Sequence, residues 1–451
     1  MNKDLKPGPV ERASFPPRQG NSVDVLVDGM EAFERIARVA EKAKSSLWVT
    51  VAFFDPGLRM PATGETFLEL AGRLAARGVD VRLLFWWSEY PGIGSFRGEA
   101  QERALLESLA PKVKARWDRV TGGCHHQKSY VVDHATAFVG GINLNNEGLS
   151  SPEHEGPGFH DLFCQLKGPA VADVAANFAE RWNQASETAD RGHAYPSAAE
   201  AGGIDHPLPG SLTNAGDTTV QVLRTIGPGI YTGERGWKES FELSGGENSV
   251  QRSLLASIRS ASAEIYIENQ YLLDVETIEE LVAAADRGVE IVAVLPLVAD
   301  PNIALYGKKR LQRARAALAR LGAHAKTGLF GVRVGGRPLY VHAKLMIVDE
   351  RIVNLGSANL WSPSYRRDSE LNLLLWDPKT AARLKRRLWR EHLDGRKAAG
   401  LAAWKALADG DRGNDGEGRK RHIVGLDPLA YYSFEGIDAP WQGIEPREAR
   451  A

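Results

Sequence analysis

Apolar runs of strand length alternate with amphipathic stretches of helix length along this chain, and the alternation plays through twice. The first round reads VDVLV (23–27), a helical pattern over 30–44, LWVTVAFF (47–54), a helix over 66–77, VDVRLLFWW (79–87) and a helix over 99–109. The second reads TTVQVLR (218–224), a helix over 250–260, EIYIENQYL (264–272), a helix over 275–287, VEIVAVLPL (289–297) and a long helix over 303–321. Strands alternating with helices predict an α/β fold: two similar halves, each a mostly parallel central sheet flanked by helices.

Breaks in the pattern set the expected boundaries. A polar, proline-bearing tail covers 1–20, a first half 21–190, a linker 191–216, a second half 217–408, and a polar loop with a C-terminal segment 409–451. Ala, Gly, Pro and Ser dominate 186–216, as a connection would require, and 409–421 reads as a loop. The aromatic stretch GLDPLAYYSFEGIDAPW behind it is expected to pack back onto the body.

Composition narrows the class. With 56 Lys and Arg against 57 Asp and Glu in 451 residues, the net charge is −1, so no global attraction to nucleic acid is expected. Two cysteines, Cys124 and Cys164, argue against a disulfide-built secreted scaffold. The first 20 residues hold no apolar core of a signal peptide, and no run approaches transmembrane length. The expectation is a cytoplasmic or peripheral membrane protein, with export lacking a cleaved signal left open.

The chemistry lies in a motif that occurs twice. His126, Lys128 and Asp133 spell H-x-K-x-x-x-x-D within HHQKSYVVD; His342, Lys344 and Asp349 spell it within VHAKLMIVD. Gly140 and Asn143 follow His126 at the intervals by which Gly356 and Asn359 follow His342. One match is weak evidence, but two in the same downstream register imply a duplication bringing both motifs to one site between the halves. The residues at 129–132 and 345–348 are apolar or β-branched, which favours buried strands. Side chains two apart on a strand share a face, so each histidine projects with its lysine, while Asp133 and Asp349 face away and are read as structural. A neutral imidazole beside an ammonium suits attack on phosphorus. One histidine forms a phosphohistidine; the other protonates the leaving alcohol and then deprotonates the incoming water or alcohol. Lys128, Lys344, Asn143 and Asn359 hold the nonbridging oxygens, and neither metal nor cofactor is called for.

These segments resemble the phospholipase D superfamily. FVGGINL, FHDLFCQLKGPAV with RWN, IYIENQYL, NLGSANLW, DSELNL and LWREHL are similar to that family's segments and fall in its order. IENQY and LWREHL look more like its phospholipid-cleaving members than its nucleases. The resemblance implies that His126 is the nucleophile and His342 the general acid/base. It also implies a carboxylate behind each histidine in its own half: Asp161 in FHDL, and Glu370 in DSEL with Asp368 as competitor. The first half reads GGIN where GSAN is usual, so Gly141 replaces a serine that would join Ser357 in binding phosphate.

Blander readings apply elsewhere. His125 faces away from the nucleophile and is read as structural, and Cys124-His125-His126 cannot converge on one metal ion. The run Lys308, Lys309, Arg310, Arg313, Arg315 and Arg320 is first a solvated helix face. Phe85, Trp86, Trp87 and Tyr90 line a head-group pocket or pack the core. The expected activity is phospholipase D-type hydrolysis of a glycerophospholipid to phosphatidic acid, also capable of transphosphatidylation, by a monomer acting at a membrane surface. A cardiolipin synthase-like transferase is the nearest alternative, disfavoured because those enzymes carry N-terminal membrane helices. A nuclease or a non-catalytic scaffold follows behind.

Overall fold

A computed structural model describes residues 10, 13–88, 95–109, 113–120, 122–156, 158–185, 213–229, 243, 245–300, 303, 307–397, 399–411 and 420–428. The first half runs β1 (Arg18–Val27), α1 (Gly29–Ala40), β2 (Ser46–Val51), α2 (Phe67–Ala76), β3 (Asp80–Trp87), α3 (Ala100–Leu109), β4 (Val113–Arg119), β5 (Ser129–Val132), β6 (Thr136–Gly140), β7 (Leu162–Lys167) and α4 (Val171–Gln184). The second runs β8 (Thr218–Ile226), β9 (Glu247–Asn248), α5 (Ser249–Ser260), β10 (Glu264–Asn269), α6 (Val275–Asp286), β11 (Glu290–Val294), α7 (Lys308–Ala323), β12 (Thr327–Val334), β13 (Arg337–Pro338), β14 (Lys344–Val348), β15 (Ile352–Gly356), α8 (Ser362–Arg366), β16 (Glu370–Trp376) and α9 (Pro378–His392). Then come α10 (Gly400–Asp411) and β17 (Arg421–Gly425).

The protein is the duplicated α/β fold that the hydrophobic pattern predicts. In each half three strands are parallel, β2–β3–β4 and β10–β11–β12. The rest of each sheet is antiparallel, β5, β6, β7 and β1 in one half and β14, β15, β16 and β8 in the other. The mostly parallel sheet expected from sequence is therefore parallel only where a helix connects successive strands. Short hairpins join β5 to β6 and β14 to β15, and a hairpin can only reverse direction. β1 pairs with both β7 and β8, which fuses the two sheets edge to edge. β17 adds to β12 antiparallel, so the chain's later part returns to the second sheet.

Helices cover both faces. One apolar cluster joins β1, β6, β7 and α4 to β14, β15, β16, α9 and α10 across the halves, while separate clusters lie under α1 and α2 and under α5, α6 and α7. β1 begins at Arg18, inside the stretch expected as tail. The remainder of that tail apart from a few residues, the linker up to residue 212, Tyr90, and most of the aromatic C-terminal stretch lie outside the described residues.

Candidate active site

The two motifs occupy equivalent places. Each histidine precedes β5 or β14, with Lys128 just ahead of β5 and Lys344 opening β14, at the end where β2 or β10 finishes, because β5 and β14 run antiparallel to those strands. The motif aspartates lie at the opposite strand ends and hold a turn. Asp133 accepts hydrogen bonds from the backbone N–H of Lys44, Ser45 and Ser46 and from Ser45 Oγ. Asp349 accepts from the N–H of Ser262, Ala263 and Glu264 and from Ser262 Oγ.

The halves meet through matched contacts. His126 N–H donates to Ser369 O at 3.0 Å, and His342 N–H donates to His160 O at 2.8 Å. Each contact sets a histidine beside the carboxylate one residue further along the other half's chain. His126 Nδ1 lies 3.0 Å from both oxygens of Glu370, and His342 Nδ1 lies 2.6 Å from Asp161 Oδ2. The carboxylates thus cross over, which corrects the own-half pairing implied by the resemblance. Asp161 immediately precedes β7 and Glu370 opens β16, both interior strands, and each contacts the partner half's histidine. Asp368, the competitor for His342, instead accepts from Cys124 N–H at 2.9 Å.

Ser357 also departs from its expected role. Its hydroxyl is fully buried and donates to Glu370 Oε2 at 2.5 Å, while Ser364 donates to Oε1 at 2.5 Å. Both carboxylate oxygens are therefore fixed, and Ser357 aligns Glu370 instead of reaching for phosphate. In the first half Gly141 fills the equivalent place, and a Cβ there would come within 2.4 Å of Asp161 Oδ1. The glycine makes room for the carboxylate that serves His342.

Electrostatics favour neutral imidazoles. Burial first, then the charge of Lys128 and Lys344, holds His126 well below the usual histidine range. Burial and the same two lysines depress His342 likewise. Burial lowers Lys344 to about 7, opposed by Asp161. It raises Asp161 to about 6 and Glu370 to about 7, opposed by the lysines. Groups from both motifs act on one another, so they share one site. Lys128 Nζ donates to His126 O at 2.7 Å, and Lys344 Nζ to His342 O. The side-chain carbonyls of Asn143 and Asn359 are buried without a hydrogen-bond partner among the described residues, leaving one amide atom in each half free for a ligand.

Two site contributors escaped the sequence reading. Gln270, at the end of β10 in IENQY, accepts from Lys344 Nζ at 3.1 Å and donates to Tyr340 Oη at 2.8 Å. Phe159, the first residue of FHDL, stacks on the His342 ring with centroids 5.4 Å apart. Position at a strand end beside the motif was the available signal. His125 is fully buried against Asp118 and Arg181, and Phe85, Trp86 and Trp87 lie in the core.

The chain belongs to the phospholipase D superfamily. The family model described as "Cardiolipin synthase, PLD-like domain" matches residues 36–182 and 254–391, one stretch per half, and the model "Phospholipase D" matches 155–278. Cardiolipin synthase of Listeria innocua is 24% identical over 81% of this chain and 68% of its own length. Phospholipase D A of Dictyostelium discoideum is 24% identical over 84% of this chain and 36% of its own. Among solved structures, phosphatidylserine synthase of Haemophilus influenzae shares the fold, with a TM-score of 0.60 at 16% identity, covering 88% of this chain and 91% of that one. The superfamily relatives are enzymes of phospholipid metabolism. Among the described residues no helix is long and apolar enough to cross a membrane.

Proposed function

We propose that the protein is a phosphatidyl transferase of the cardiolipin synthase kind, working through a phosphohistidine on His126. The observation that carries this reading is the crossed pair of histidine–carboxylate contacts, which leaves one ring nitrogen of each imidazole for chemistry. With Nδ1 of His126 directed at Glu370, Nε2 is the nucleophilic nitrogen. It attacks phosphorus while the bond to the leaving alcohol oxygen breaks and His342 gives that oxygen a proton. The anionic diester offsets the lysine charges that depress His342, so the imidazole takes up this proton as substrate docks. His342 then removes the proton of an incoming hydroxyl, whose oxygen displaces His126 from phosphorus. The ammonium groups of Lys128 and Lys344 and the side-chain N–H groups of Asn143 and Asn359 donate to the nonbridging oxygens, and Asp161 stabilises the imidazolium of His342.

The synthase relatives and the family model shift the acceptor from water, which the sequence favoured, to the hydroxyl of a second lipid. Phosphatidylglycerol alone, supplied in vesicles, tests this: cardiolipin and glycerol are expected, both absent with His126→Ala. Phosphatidic acid as the sole lipid product would return the assignment to hydrolysis, the reading favoured by the similarity to the Dictyostelium phospholipase D.

A further inference from the structure

A second cluster of ionisable side chains lies behind the site and plays no part in the mechanism above. Asp28, at the end of β1, His154 and His160, before β7, and Glu391, in α9, each aim one donor atom at a common point, with all four atoms within 4.8 Å of one another. Asp28, His154 and His160 are buried, and the Glu391 side chain is only 7% exposed.

Three of the six ligand–ligand spacings match a tetrahedral ion. Glu391 Oε1 lies 3.4 Å from His160 Nδ1 and 3.1 Å from His154 Nε2, and that nitrogen lies 3.3 Å from Asp28 Oδ2. Ligands at zinc's usual distance stand about 3.3–3.4 Å from each other in a tetrahedron. The outer contacts also fit. His160 Nε2 is 2.9 Å from Glu268 Oε2 and Nδ1 is 3.0 Å from Asp28 Oδ1, so an entering cation would take the place of the Nδ1 proton while Glu268 keeps the Nε2 proton. Glu268 is held in turn by His392 Nε2 at 2.8 Å and by Tyr266 Oη. Asp28 Oδ2 is buried with no hydrogen bond, while Oδ1 accepts from Asp161 N–H at 3.2 Å. That oxygen is an orphan acceptor facing the common point, which a cation would satisfy.

From this geometry we infer a structural Zn²⁺ site formed by Asp28, His154, His160 and Glu391. Once His160 gives up its Nδ1 proton on the ion's arrival, two neutral imidazoles and two carboxylates balance a divalent cation, and an N₂O₂ tetrahedron suits zinc better than magnesium or calcium. Glu391 also borders a surface cleft that it shares with Arg387 and Arg421. The site ties β1, the segment before β7 and α9 together. Through His160, whose carbonyl oxygen accepts from the N–H of His342 and Ala343, it buttresses the acid/base histidine without touching substrate.

Chelator-stripped protein titrated with Zn²⁺ tests this without any activity assay. One Zn²⁺ per chain by mass spectrometry and a higher melting midpoint are expected, with both retained in a His126→Ala/His342→Ala double variant. His154→Gln should lose the ion, and Glu268→Gln should weaken it about 10–100-fold. Should His154→Gln fail to fold, Co²⁺ in the wild type gives the same answer, with tetrahedral visible bands expected. Absence of stoichiometric zinc in the wild type, its persistence in His154→Gln, its loss from the double variant, or a six-coordinate cobalt spectrum would each overturn the assignment. None of these readings depends on the proposed transferase activity.

Discussion

His126 Nδ1 lies 3.0 Å from both carboxylate oxygens of Glu370, a residue 244 positions later in the other half of the chain. The mirror contact joins His342 to Asp161. Neither half supplies the carboxylate of its own motif histidine, so both His126 and His342 are completed only when the halves dock. Glu370→Gln keeps the shape but removes the charge that selects the reactive tautomer. Turnover is expected to fall by about 10²–10⁴ with little change in KM, as for other histidine–carboxylate pairs. Steady-state kinetics with phosphatidylglycerol measure it.

Ser357 and Ser364 favour the ionised form of Glu370, because both hydroxyls donate to it. Their hydrogen bonds lower a carboxyl that burial has raised to about 7. Removing them in Ser357→Ala/Ser364→Ala pushes the group higher. The acidic limb of the kcat–pH profile should therefore move to higher pH, by on the order of one unit for two hydrogen bonds to a charge. An unshifted limb would show that Glu370 does not govern it.

The same carboxyl gives a stability prediction of opposite appearance. Its folded pKa exceeds its unfolded value of 4.5, so the native state binds the extra proton between pH 4.5 and about 7. Glu370 thus contributes stability that is complete below that window and is lost as pH rises through it. Melting midpoints of Glu370→Gln should fall less steeply from pH 5 to 7 than those of the wild type.

Gly141 separates family habit from local fit. Restoring the serine of the second motif would place Cβ 2.4 Å from Asp161 Oδ1, which is held by Leu162 N–H at 2.7 Å and whose other oxygen contacts His342. Gly141→Ser is expected to lower kcat at least about 10-fold by moving that carboxylate. Parallel assays of the variant and wild type at saturating lipid check it.

Asp133 and Asp349 carry structure. Each accepts four or more hydrogen bonds from the turn leading into the neighbouring strand. Asp349→Ala should cost about 2–3 kcal/mol by leaving those donors unpaired. Denaturant unfolding measures the loss, and KM of the folded fraction should stay within about twofold.

Much of this was legible in the chain because it is local. The repeated H-x-K spacing and the GxxN after it report the duplication, although His126 and Lys128 lie ahead of β5 and not within it. What stayed hidden depends on how the halves dock. No spacing reveals that Glu370 serves His126, since the contact is set by backbone pairing near Ser369 across 244 positions. Ser357 looked like a phosphate ligand because its burial against Glu370 is a tertiary fact. The Asp28–His154–His160–Glu391 cluster draws on three separate stretches of sequence, so it has no motif at all. The parallel sheet was overdrawn because β5 and β14 are short apolar runs whose direction is decided by the hairpins that follow.

The most direct test of the central claim is a rapid-quench reaction with a phosphatidyl ester of p-nitrophenol, whose leaving group needs no protonation. Wild type should release nitrophenol and turn over. His342→Ala should give one burst equivalent and accumulate a base-stable, acid-labile phosphoenzyme, because the second step lacks its base. His126→Ala should give neither burst nor phosphoenzyme. A burst with phosphoenzyme in His126→Ala, or its absence in His342→Ala with turnover intact, would contradict the division of roles between the two histidines.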